Sequence, residues 1–192
     1  MVELNMVADF FPDIFPAYVS STKEYRKPML EMAITYFGIS QYRGKAKDLL
    51  EKIIQVEDDA DNEFLWGRLF KDKLVDISQD RALIDSILKS KIKKNVLSHF
   101  FEYVVEQNML KQYADLIFDL CMSILEKPDE VKYIWGVDTA LLKMVLGLYN
   151  ETANSKEAMD IEISLKCLDV WDKMYEKNVG MARSLTEQLL NV

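Results

Sequence analysis

The residues Tyr113, Leu116, Ile117, Leu120, Cys121, Ile124 and Leu125 recur three and four apart without a miss. An α-helix is the backbone that gathers such a set on one side, because its 3.6-residue turn brings every third or fourth residue back to the same face. A second stripe of the same kind, Leu97, Phe100, Phe101, Val104 and Val105, lies just upstream across a break at Gln107-Asn108. Two apolar stripes joined by so short a break must fold back on each other to leave water. The first stripe is expected to end at Lys127-Pro128-Asp129, since proline disfavours helical geometry in the residue before it.

The same period recurs in both directions. Leu141, Met144, Val145, Leu148 and Tyr149 predict a helix after the turn at Gly136-Val137-Asp138, with Asp138 as its N-cap. Ser155 is placed to cap the next helix. There Ile161, Leu165, Leu168 and Tyr175 make one stripe, and Cys167, Trp171 and Met174 widen it into a face broad enough for two neighbours. Gly180 is expected to stop that helix, and Ala182, Leu185 and Leu189 make a last amphipathic set. Toward the N-terminus, Ala46, Leu49, Leu50, Ile53 and Ile54 predict one helix, and Phe64, Leu65, Leu69 and Phe70 another across Trp66-Gly67. Asp76-Ile77-Ser78 reads as a capping sequence, with Asp80 or Arg81 in the first turn of a helix carrying Leu83, Ile84, Ile87 and Leu88. Residues Pro28 to Phe37 read as a helix with Pro28 near its first position. The opening Phe10-Phe11-Pro12 and Ile14-Phe15-Pro16 predict a short irregular helix.

Punctuation agrees. Six Gly and four Pro in 192 residues are too few for a fold of short strands and many turns. The expected class is all-α, built of stacked antiparallel helix pairs, as a HEAT-like α-solenoid or an irregular helical bundle. About nine or ten helices are expected, pairing at roughly 35 to 45 residues, near the HEAT period. At this length the chain is expected to form a single helical domain over residues 1–192, less regular over 1–90 and better patterned over 91–192. Apolar residues at 49% suffice for a core without disulfides or metals.

Lys and Arg total 24 against 32 Asp and Glu, a net charge of -8. Nucleic acid is therefore not an expected partner, because binding a polyanion means replacing its counterions with Lys and Arg. The one basic cluster, Lys89, Lys91, Lys93 and Lys94 with Arg81, reads as a solvated helix junction. No apolar run approaches the roughly 18 residues of a membrane span, and Met1-Val2-Glu3-Leu4-Asn5 lacks the pattern of a signal peptide. The expected location is cytoplasmic, without a membrane partner.

Chemistry finds little to work with. His99 is the single histidine, which excludes a two-histidine zinc face or a facial triad, and its place beside an apolar stripe reads as structural. Gly44-Lys45-Ala46 lacks both the upstream glycine and the hydroxyl of a phosphate loop. The acidic run Glu57, Asp58, Asp59, Asp61 and Glu63 fails the calcium-loop pattern, because Phe64 and Phe70 fall where its glycine and glutamate belong; it reads as a solvated helix start. Asp169, Asp172 and Glu176 share a helix side with Lys166 and Lys173, the spacing of surface ion pairs. Cys121 and Cys167 sit in apolar stripes and read as buried hydrophobes. No catalytic, cofactor-binding or metal-ligating residue is assigned. Trp171 reads as core. Trp135 lies in a loop with Tyr133, Asp129 and Glu130, which together combine an aromatic anchor with acidic neighbours and are the expected partner contact; the alternative is that Trp135 plugs the gap between successive helix pairs.

One resemblance adds a setting. Leu148-Tyr149, then Lys166-Cys167-Leu168-Asp169-Val170-Trp171-Asp172-Lys173-Met174, then Gly180, Ala182 and Arg183 resemble the C-terminal helical-repeat region of bacterial STAND-type NTPases of antiphage defence, over residues 141–191. Phe64 to Phe70 is similar to a helix of such regions. The resemblance implies a bacterial cytoplasmic protein that recognises a protein partner, an NTPase or effector of the same system. The sequence departs from the family in having no nucleotide-binding domain, so any ATPase activity would belong elsewhere. The expected function is thus a non-catalytic interaction module or accessory subunit, the alternative a self-assembling structural subunit joined through its aromatic N-terminus.

Overall fold

The computed structural model describes residues 11–90, 93–125 and 137–176. Every regular element among them is helical, and none is a strand. Nine α-helices follow in order: α1 (Phe11–Ser20), α2 (Lys23–Phe37), α3 (Arg43–Val56), α4 (Glu63–Lys71), α5 (Ile77–Lys89), α6 (Lys93–Glu106), α7 (Ala114–Leu125), α8 (Val137–Thr152) and α9 (Ala158–Glu176). Two 3-10 turns, Ala60–Asn62 and Lys111–Tyr113, precede α4 and α7. The all-α expectation holds. The chain divides into two compact units, Met1–His99 and Phe100–Val192.

In the first unit α3 is the central helix, packed against α1, α2 and α5. Its buried residues are Ala46, Leu49, Leu50, Ile53 and Ile54, the set its spacing predicts. Helix α2 begins at Lys23, five residues before Pro28, so the proline lies inside the helix. Pro28 cannot donate to the carbonyl of Glu24, a local loss, and the first turn before it is tied to α1. Arg26 donates from Nε to the Tyr18 carbonyl at 3.1 Å and lies 5.5 Å from the Tyr18 ring. In α4 the stripe is Leu65, Trp66, Leu69 and Phe70, all buried, whereas Phe64 is 59% exposed, against expectation. It sits on the solvent side, where Lys71 covers its ring. A Cβ added at Gly67 would lie 2.7 Å from the His99 ring, so α4 and α6 approach closely there only because position 67 has no side chain. Asp76 caps α5 as its sequence indicates, accepting the Ser78 N–H at 2.9 Å.

In the second unit the break after α6 is made by Asn108 in left-handed geometry (φ 53°), a conformation Asn tolerates better than most residues. Helix α7 buries Leu116, Ile117, Leu120, Cys121 and Leu125, and α9 packs on both α7 and α8. Helix α8 buries Met144, Val145 and Leu148. That helix starts at Val137, so Asp138 falls in its first turn instead of capping it. The stop at Lys127-Pro128-Asp129, Gly180 and the set from Ala182 to Leu189 lie outside the described residues. Among the described residues no helix is long and apolar enough to cross a membrane.

Candidate interaction surface

Helix α9 is apolar on two sides. One side carries Ile163, Cys167, Val170 and Met174, all buried against its neighbours. The other carries Ile161, Leu165, Leu168 and Tyr175, which are 45%, 61%, 47% and 48% exposed. At 100° per residue the second set is centred roughly 140° from the first. This corrects the expectation of one broad core face built on Ile161, Leu165, Leu168 and Tyr175. Among the described residues α7 and α8 both pack on α9, Cys167 and Met174 are buried there, and the residues of the other stripe are exposed. Trp171, expected in the core, is half-buried beside the exposed stripe.

The start of α9 is pinned by charge. Asp160 is buried and pairs with Lys111 at 2.7 Å. The Lys111 ammonium, then the Ser155 hydroxyl, hold its carboxyl below the usual range, and the same pair raises the Lys111 ammonium above its own. Ser155 also accepts the Glu157 N–H at 3.2 Å, so it tightens the turn leading into the helix.

Its charge is one-sided. Glu162, Asp169 and Glu176 recur seven apart along one edge of the exposed stripe, and Asp172 stands within it; all four are exposed. Lys166 bridges to Glu162 at 3.1 Å and to Asp115 at 3.5 Å, and Lys173 to Asp169 at 2.5 Å. Glu162, by hydrogen bond and charge, is the main cause of a raised pKa at Lys166. Among the described residues Asp172 and Glu176 make no ion pair. The expected surface pairing of these carboxylates is therefore present for Asp169 but not for the other two.

Tyr133, Trp135, Asp129 and Glu130 lie outside the described residues. The acidic run is not a solvated helix start throughout: Asp58 and Asp61 are exposed, but Glu57, Asp59 and Glu63 are buried. The Glu57 carboxylate accepts from the Tyr18 hydroxyl, from the Asp59 N–H at 3.0 Å and from the Asn62 amide at 3.0 Å. Burial, and next the hydrogen bond to Glu57, push the Tyr18 hydroxyl far above its ordinary pKa, so it remains a donor. A second buried carboxylate, Asp80, takes Arg43, Lys47 at 3.2 Å and the Asp76 N–H at 2.8 Å, bending α5 where its own backbone leaves helical geometry. His99 is half-buried against α4. Of the basic cluster, Lys89 is exposed and Arg81 pairs with Asp85 at 2.9 Å, while Lys91 lies outside the described residues. Cys121 and Cys167 are both buried; burial raises both thiols, Cys167 up to about 12. Of the aromatic N-terminus, Phe11 and Tyr18 are buried and Phe15 is half-buried, while Phe10 lies outside the described residues.

Compared with known protein families, characterised proteins and solved structures, the chain matches none.

Proposed function

We propose that this chain is a non-catalytic protein-interaction module whose contact surface is the outward stripe of α9. The observation that carries the reading is Ile161, Leu165 and Leu168 in one exposed row, on a helix whose opposite side is already in the core. Single exposed apolar residues are ordinary; a contiguous row on one helix marks a place where another surface sits. The buried carboxylates support this reading, since Glu57, Asp80 and Asp160 are each engaged in holding helices together. Phe11 and Tyr18 serve the core of their own unit, which favours this reading over self-assembly through the N-terminus. The words that carry the resemblance to defence NTPases include Lys166 to Met174 of this same helix, and a protein of such a system, an NTPase or its effector, is the partner that setting supplies.

The test is a photocrosslinking residue placed at Leu165 in the native host, with a second at Asp48 on α3 as control. A discrete adduct with another protein from position 165, absent from position 48 and lost in the Ile161→Glu/Leu168→Glu variant, is the expected result. No adduct from position 165 overturns the reading.

A further inference from the structure

The geometry points to an amphipathic helix, with Lys or Arg flanking its apolar stripe, as the segment of the partner that lies along α9. The inference rests on the interaction reading above and adds the partner's chemistry. Ile161, Leu165, Leu168, Asp172 and Tyr175 alternate four and three apart, the seam spacing with which one helix receives another. The row runs for about four turns, roughly 21 Å, enough to seat a helix of similar length.

Charge decides what kind of helix. The seam has an acidic rail of Glu162, Asp169 and Glu176, with Asp172 inside it, and the two lysines nearby are already engaged by Glu162 and Asp169. A second copy of this chain is a poor fit. Paired in parallel, two copies would bury Asp172 against Asp172; paired antiparallel, the acidic rails would face each other. Like charges set opposite across an interface oppose association, while opposite ones speed encounter and fix register. A partner helix with basic residues beside its seam satisfies Asp172 and Glu176, which have no counter-charge among the described residues.

The probe is a synthetic helix of about three heptads with Leu at its seam and Lys beside it, together with its Glu-flanked counterpart, titrated against the full chain by fluorescence anisotropy. The Lys helix should bind and the Glu helix should not. Asp172→Lys/Glu176→Lys should weaken the Lys helix about tenfold or more and admit the Glu helix, whereas Glu24→Lys/Asp61→Lys, equal in charge but in the other unit, should change neither. Asp172→Asn/Glu176→Gln, which adds no new charge, should fall between. In the cell, the adduct formed from position 165 should disappear in the Asp172→Lys/Glu176→Lys chain. If Ile161→Glu/Leu168→Glu removes that adduct and the charge swap does not, the basic-helix assignment is overturned while the interaction reading stands. If neither removes it, both fall. An adduct joining two copies, or joining position 165 to residues 177–192 of the same chain, assigns the stripe another occupant and overturns the inference.

Discussion

At the scale of single residues, the buried carboxylates take near partners, as Glu57 takes Asn62 and Asp80 the Asp76 N–H, and also partners distant in sequence. Asp160 meets Lys111 across 49 residues, and Glu57 meets Tyr18 across 39. No local pattern announces such a pair, which is why the acidic run reads as solvated until the fold is seen. The Lys111 pair lowers the Asp160 pKa and raises that of Lys111. A lowered carboxyl pKa contributes stability above the unfolded value, about 3.9, that is lost as pH falls through the folded one; a raised ammonium contributes below about 10.4 and is lost above it. Asp160→Asn should therefore lower the urea midpoint at pH 7, with the gap to the parent narrowing below about pH 4. An equal gap at pH 7 and pH 3 would show the pair to be idle. The raised thiols of Cys121 and Cys167 lead to a second expectation. Neither should react with a disulfide reagent in native buffer within minutes, and both should react in denaturant, because the thiolate is the reactive form.

At the scale of helices, periodicity reports that a face is apolar but not what covers it. For α7 the two coincide: Leu120 belongs to the stripe the spacing identifies and is buried. For α9 they separate, since the sequence holds two apolar rows and only the positions of α7 and α8 decide which one is core. Pro28 shows the reverse: a residue that ends helices elsewhere lies inside α2, two residues after Arg26 binds the Tyr18 carbonyl of α1. The contrast is measurable. Leu120→Ala should cost about 2 to 5 kcal/mol from lost transfer energy and a cavity, while Leu165→Ala should cost less than about 0.5 kcal/mol, as expected for a solvent-facing site. Denaturant melts of the two variants check both. Equal costs would mean that the α9 stripe is covered in solution.

At the scale of the whole molecule, helical content and class are legible from the three-four spacing and the scarcity of turn residues, because both act along the whole chain. The division at His99 and Phe100 is not, since it falls within the continuous pattern of α6. The placement of the indoles follows that division. Trp66 is fully buried in the first unit, its N–H without an acceptor among the described residues, while Trp171 is half-buried in the second, on the turn of α9 that carries Leu168 and Asp172. With Trp135→Phe, and with excitation on the red edge where tyrosine does not absorb, the chain therefore carries one tryptophan per unit in unlike surroundings. Trp66 should emit toward the blue and resist quenching by iodide or acrylamide. Trp171 should be the more readily quenched, and a helix seated on the stripe should shield it while leaving the Trp66 component unchanged. A label-free optical titration thus follows from where two indole rings sit, and equal shielding of both would place the ligand away from α9.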